Sequence, residues 1–389
     1  MNKKNNLTVL PVLFSFFIVG FADVVGISSN YVKQDFGLSD SLANLLPMMV
    51  FLWFAVCSIP TGILMNKIGR KNTVLAGVII TLLALLVPVI SYTYTMVLVA
   101  FALLGIGNTI LQVSLNPLLT NVVSGNRLTS SLTLGQFVKA IASFLGPVIT
   151  GFASGILGSW TLVFPIFAVI TLLSGLWLWF APIKKESTKS AVSGFSASFG
   201  LLKDPVILMF FLAIVVLVGI DVGINVTLPK FLMDGTSLSL EKAGLSTSLY
   251  FAARTIGAFV GTFLLIKLSE RKFYMSSTIL GIISLILIVL ITDALWLTYV
   301  SIFCLGLAVS NIFPIVFSLA LKRRSDSTNE VSALLVMGIA GGAIVPPVLG
   351  LVSDSAGQTG AMVVLLVLFV YLCFNSINIK SASDIGQRI

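Results

Sequence analysis

Residues 62–71 read GILMNKIGRK, and residues 261–272 read GTFLLIKLSERK. Each passage carries an apolar run into a short basic turn, and another apolar run follows. The two lie about 200 residues apart in a chain of 389. The flanking runs reach the ~20 residues that a helix needs to cross about 30 Å of hydrocarbon. A turn rich in Lys and Arg between two such runs marks the cytoplasmic side of a membrane hairpin. The whole chain follows this pattern. It is 57% hydrophobic and 10% charged, with a mean hydropathy of +1.10, whereas a soluble domain carries about 25% charged residues. Alternating strands of about ten residues, the sign of a membrane β-barrel, are absent.

Twelve spans are predicted, near 8–31, 43–65, 73–92, 95–122, 128–155, 160–182, 205–233, 243–266, 273–292, 295–321, 329–353 and 359–379. The first apolar run lacks a cleavage site and is read as a span, not a signal peptide. Of the 23 Lys and Arg, 18 fall at the termini and in the loops on one side, 3 on the other, and 2 inside spans. Both termini are therefore expected in the cytoplasm of a bacterial inner-membrane protein. The net charge of +9 is mostly topological, so nucleic acid is a poor partner. The three cysteines, Cys57, Cys304 and Cys373, sit in apolar segments without metal-ligand spacing. There is no histidine, which removes a His relay, a Ser-His-Asp triad and most zinc sites. No enzyme constellation is visible.

The longest loop, beginning at Lys184, divides the chain into an N-terminal six-helix bundle (1–183), a cytoplasmic linker (184–204) and a C-terminal bundle with a short tail (205–389). The halves echo one another. GFADVVG around Asp23 has VGIDVG around Asp221, each followed by a second aspartate, Asp35 and Asp234. Repeated halves with a site at their interface mark secondary transporters.

GILMNKIGRK resembles the loop motif of the major facilitator superfamily, with Asn66 where that motif usually has Asp. A narrower resemblance, to the fucose–proton symporter family with its glucose and galactose transporters, rests on four stretches. They are GIGNTILQVSLNPLLT (105–120), LTLGQFVKAIASFLGP (132–147), SNIFPIVFSLAL (310–321) and SALLVMGIAGGAIVPPVLGLVSD (332–354). The resemblance implies two pseudo-symmetric six-helix bundles and alternating-access symport of a sugar with a cation. It places Asp23 at the family's first-span aspartate, Gln112 at its fourth-span acid or amide, and Gln136 at its fifth-span glutamine. Lys139 stands where the family has asparagine, and GAF (257–259) stands where it tends to have GRF, with Arg254 one turn earlier. The resemblance also implies that Lys67, Arg70 and Lys71 hold a cytoplasmic gate. Topology alone would also account for their charge.

Ionisable groups within a membrane span are costly and mark function by default. Asp23 lies about 22 Å along its helix, just past the midplane, as a proton-coupling carboxylate. Lys139 has three readings: it binds an anionic substrate, it is the counter-ion that Asp23 releases on protonation, or it forms a static salt bridge. Asp221 and Arg254 come to similar depth, either as an inter-helix pair or as direct coupling and substrate contacts. The amides Gln112, Asn116, Gln136, Asn225 and Asn311 offer donors and acceptors suited to hydroxyl-rich ligands. Asn116 before Pro117, and Asn311 near Pro314, equally suit a helix bend. Phe137 and Tyr250 are candidate sugar-stacking rings. The Gly- and Pro-rich stretch GIAGGAIVPP (338–347) serves close packing or flexing.

The expectation is a monomeric, cofactor-free importer of a monosaccharide or sugar derivative, possibly anionic, in contact with membrane lipid. Its coupling ion is a proton, with Na⁺ as the alternative. The rivals are a proton antiporter exporting a small molecule, a membrane enzyme and a non-transporting sensor.

Overall fold

Hydrocarbon offers no partner for backbone N–H and C=O groups, so a spanning chain must pair them within its own helices. Accordingly, no strand occurs among the described residues. The computed structural model describes residues 3–38, 42, 45–123, 127–183, 195–236, 240–290 and 294–378. The sequence from 184 to 194, which holds most of the expected linker, lies outside the described residues, as does the tail from 379.

The spans are helices Leu45–Ile68, Arg70–Ile90, Tyr94–Val122, Arg127–Gly155, Val163–Phe180, Pro205–Gly235, Leu240–Lys267 and Glu270–Leu290, together with four that depart from a single regular helix. The first runs from Lys3 to Phe36 but is broken by a 3₁₀ turn, Gly20–Val24. The tenth comprises Leu295–Val309 and Ile312–Arg323, with Asn311 at the junction. The eleventh begins as Thr328–Met337, passes through a 3₁₀ turn at Gly338–Ala340, and continues in Gly341–Asn378. That last helix carries the twelfth span as well, past a kink at Gly357, whose φ of 69° favours glycine. Among the described residues, eleven segments are long and apolar enough to cross a membrane, and Thr8–Val24 is a shorter apolar helix that completes the twelve. The first span falls short because polar residues follow its break: Ser28, Ser29, Asn30 and Lys33.

Two compact units emerge. One holds Met1–Gly200 together with Asp326–Met337, and the other holds Leu201–Ser325 with Gly338–Ile389. In the first, the second and third spans pack along the fourth, and the first span lies against the fourth, fifth and sixth. In the second, the seventh span packs along the eleventh and twelfth, and the eighth along the tenth. The GIAGG stretch serves this packing, since a Cβ at Gly341 would lie 2.1 Å from the Val215 carbonyl oxygen. The seventh span opens on Asp204, whose carboxylate accepts from the Val206 amide (3.0 Å) with Pro205 next in line, the usual N-cap and first-turn chemistry.

Candidate functional site

The 3₁₀ turn Gly20–Val24 contains Asp23. Mid-helix 3₁₀ stretches often mark functional hinges. The turn crosses the fifth span closely: a Cβ at Gly20 would lie 2.5 Å from the Lys139 carbonyl oxygen. That crossing sets the Asp23 carboxylate beside Ser143, whose hydroxyl donates to Asp23 Oδ2 at 2.5 Å. The same Oγ is 3.1 Å from the Lys139 carbonyl oxygen. Asp23 is exposed and Ser143 half-buried. Among the described residues, Asp23 forms no ion pair with Lys139. The backbone of Lys139, and not its ammonium, is what meets the Asp23 site. Ser143 escapes the sequence reading because a serine in an apolar span is usually a back-bonding filler; its position one turn after Lys139 is the available signal.

The fourth span presents a buried amide ladder. Asn116 Nδ2 donates to the Gln112 carbonyl oxygen (2.8 Å), and Gln112 Nε2 donates to Asn108 Oδ1 (2.9 Å). Asn108 Nδ2 then crosses to the first span and donates to the Val19 carbonyl oxygen at 2.7 Å. Val19 is the residue before the 3₁₀ turn. Asn108, like Ser143, is a residue that reading along the sequence misses. Its signal is the four-residue spacing Asn108–Gln112–Asn116, which puts all three on one helix face.

In the second unit, Asp221 accepts from Tyr250 Oη on Oδ1 (2.7 Å) and from the Arg254 guanidinium on Oδ2 (2.5 Å). This ion pair joins the seventh and eighth spans. Tyr250 is fully buried, which leaves its ring no face for a sugar in this state. Asn225 Nδ2 back-bonds to the Asp221 carbonyl oxygen (2.8 Å). Asn311 Nδ2 donates to the Gly257 carbonyl oxygen (2.8 Å) and fastens the tenth span to the eighth. The side-chain Oδ1 atoms of Asn116, Asn225 and Asn311 have no partner among the described residues. Gln136 and Lys139 are half-buried on the fifth span.

At the loop end of the first unit, Arg70 is a hub. Its Nε donates to Asn329 Oδ1 (2.8 Å), and its Nη1 donates to the Pro117 carbonyl oxygen (3.1 Å), Thr120 Oγ1 (2.9 Å) and Asn121 Oδ1 (2.5 Å). Asn66 joins it, donating to Glu330 Oε1 (2.6 Å) and accepting from Asn329 Nδ2 (2.5 Å). Ser332 Oγ adds a bond to the Val113 carbonyl oxygen (2.6 Å). The opening of the eleventh span is therefore latched to the second and fourth. Lys71 serves elsewhere, donating to the Trp179 and Ala181 carbonyl oxygens at the end of the sixth span (both 2.8 Å). Lys67 is exposed.

Broken helices, paired intramembrane charges and two repeated bundles are the parts of a multi-pass membrane transport protein. The family model of the Major Facilitator Superfamily matches residues 12–323 and 210–377. The chain belongs to that superfamily, whose members are transporters and not enzymes. It is 28% identical over 390 residues to a glucose/galactose transporter of Brucella abortus, covering 95% of this chain and 92% of the relative. It is 26% identical over 394 residues to an L-fucose-proton symporter of Escherichia coli, covering 88% and 87%. Among solved structures it resembles the outward conformation of the fucose transporter FucP, with a TM-score of 0.84 at 20% identity over 96% of this chain and 99% of that one.

Proposed function

We propose that the protein is a proton-coupled importer of a monosaccharide or sugar derivative, with Asp23 as the coupling carboxylate. The observation that carries this reading is an exposed carboxylate inside a broken membrane helix, engaged among the described residues by a single serine hydroxyl. The sugar relatives named above support the substrate class. An ionised carboxylate accepts only, whereas the protonated form can also donate. Protonation of Asp23 frees the Ser143 hydrogen to bond the Lys139 carbonyl and loosens the contact between the first and fifth spans. The bundles then rearrange and the substrate passes inward. Asp221, with both oxygens engaged, orients Arg254 for substrate. The Arg70–Asn329 and Asn66–Glu330 contacts close the cytoplasmic side until that step.

The test is uptake of radiolabelled glucose, galactose and fucose in proteoliposomes under an imposed proton gradient, with and without Na⁺. Asp23→Asn is expected to abolish uphill accumulation while retaining counterflow exchange. Normal accumulation by that variant would overturn the reading, and accumulation that needs Na⁺ would replace the proton with sodium.

The free state of Lys139 with respect to Asp23 favours a second reading of specificity, in which the substrate carries a negative charge. Arg254 is neutralised by Asp221, whereas no acid forms an ion pair with Lys139 among the described residues. Lys139→Asn should then shift preference from acidic to neutral sugars, and an unchanged preference would remove this reading.

A further inference from the structure

We propose that Asn108 is a positioning residue that holds the helix break presenting Asp23, and that it links that break to Gln112. The inference rests on the reading of Asp23 as the coupling group. Asn108 is 1% exposed, and both halves of its amide are engaged, one across to the first span and the other by Gln112 on its own helix. Its Nδ2 reaches the Val19 carbonyl oxygen at 2.7 Å. That carbonyl sits where the α-helix gives way to the 3₁₀ turn, four residues before Asp23. A side chain that inserts into the backbone ladder is a recognised cause of such breaks. Without the amide donor, the carbonyl returns to ordinary helical pairing, and an unbroken helix rotates the side chain at position 23 about its axis. An α-helix advances by about 100° per residue and a 3₁₀ helix by about 120°. Over the four steps from Val19 to Asp23 the difference sums to about 80°, which re-aims the carboxylate.

The other half of the amide faces the ladder. Asn108 Oδ1 accepts from Gln112 Nε2 at 2.9 Å. A sugar hydroxyl that claims the Gln112 amide competes with that bond and alters how firmly Asn108 grips Val19. Substrate at Gln112 and a proton at Asp23 thereby act on one hydrogen-bonded chain. The charged groups on the elements packed against the turn are few. The fifth span contributes Lys139, one turn from Ser143, and Arg127 at its far end. The fourth span has no charged residue between Tyr94 and Val122. The second half of the first span carries Lys33 and Asp35, and Asp35 is engaged by Tyr92 Oη (2.6 Å) and Trp160 Nε1 (2.8 Å). The start of the first span carries Lys3 and Lys4. None of these replaces the link from Asn108.

The test compares Asn108→Leu and Asn108→Asp with Thr109→Val in the full chain in proteoliposomes. Thr109→Val removes a neighbouring buried hydroxyl that back-bonds to Gly105 (2.8 Å). Radiolabelled galactose is the probe. Both Asn108 variants should lose accumulation by about tenfold, some 1.4 kcal/mol, and their uptake should flatten across mildly acidic to neutral pH. Counterflow should stay within about twofold, or 0.4 kcal/mol. Amide hydrogen exchange over residues 19–25 should fall several-fold in both, as the break closes into regular helix, and stay unchanged in Thr109→Val. Wild-type exchange over 19–25 in the Asn108 variants overturns the proposal, and so does coupled, pH-dependent uptake by them. If one variant fails to fold, the other carries both measurements. Accumulation by Asp23→Asn would remove the coupling reading, whereas its loss in Asp23→Asn together with wild-type behaviour in Asn108→Leu removes this proposal alone.

Discussion

Asp23 and Asp221 occupy corresponding places in the two repeats, about 200 residues apart, and the structure treats them differently. Asp23 lies in a 3₁₀ break, exposed, against one hydroxyl. Asp221 lies in an unbroken helix with a tyrosine on one oxygen and an arginine on the other. The same residue in the same register thus has a loose partner in one half and a fixed set in the other. Duplication supplied the position; the neighbouring helices decided the use. The loop motifs show the same divergence. Lys71 and Arg271 keep one task, each capping the carbonyls at the end of its bundle's last span (Arg271 to Ile377 O, 2.6 Å). Their predecessors have opposite charge. Arg70 reaches the end of the fourth span, whereas Glu270 accepts from Lys322 at the end of the tenth (2.6 Å).

The largest expected effect lies in breaking the fixed member. Asp221 and Arg254 retain 16% and 33% side-chain exposure, but both lie within membrane spans, where a charge left without its partner approaches the cost of breaking a buried pair, about 3–5 kcal/mol. Asp221→Asn should therefore destabilise the protein by about 3 kcal/mol, the low end of that range. The loss should appear as a lower melting temperature in detergent, and Arg254→Gln in the same chain should recover much of it. Asp23→Asn should leave the melting temperature nearly unchanged. Equal melting losses for the two aspartates would dissolve the contrast.

The loop motifs offer an intermediate effect. Arg70→Ala removes charge-assisted bonds worth about 1.5–3 kcal/mol from the latch between the eleventh span and its neighbours. A cysteine placed at Ser332 should then label faster with a membrane-permeant maleimide. Arg271→Ala in the other half should leave that labelling as in the wild type. A matching increase from both would mean that the latch is not local to Arg70.

The smallest effect concerns pH. Burial pushes the Asp204 carboxyl up. Hydrogen bonds from Arg323 and the Val206 and Ile207 amides, with the charge of Arg323, outweigh it and hold the group below its ordinary value. A depressed folded value means that the stabilisation is present above the unfolded carboxylate range near ~3.9 and is lost as pH falls through the lower folded value. Partly exposed pairs contribute about 0.2–1 kcal/mol. The melting-temperature gap between the wild type and Asp204→Ala should thus be small at neutral pH and shrink in acid. A gap that widens in acid would reverse the assignment.

The sequence carried the architecture because membrane insertion depends on summed local properties. Hydropathy over twenty-odd residues located the spans, charge bias gave the expected orientation, and repeated words such as GFADVVG and VGIDVG exposed the two halves. It also singled out Asp23, Asp221, Arg254 and Gln112, since polar groups in apolar spans stand out one by one. Partners were less legible. Lys139 is the cation that spacing offers Asp23, yet Ser143 holds the carboxylate, because the crossing at Gly20 brings backbone to backbone and leaves the lysine ammonium unpaired with Asp23. Asn108 meets Val19 across 89 residues, and Asn66 meets Glu330 across 264.

Composition and periodicity thus determined a twelve-span, two-fold repeated transporter with ionisable groups in its membrane helices. The tertiary structure alone decided which donor faces each acceptor, where the first helix breaks and which aspartate has, among the described residues, one hydroxyl as its partner. The physical reason is that burial is additive along the chain, whereas a hydrogen bond depends on the rotation and crossing of two helices, to within a fraction of an ångström.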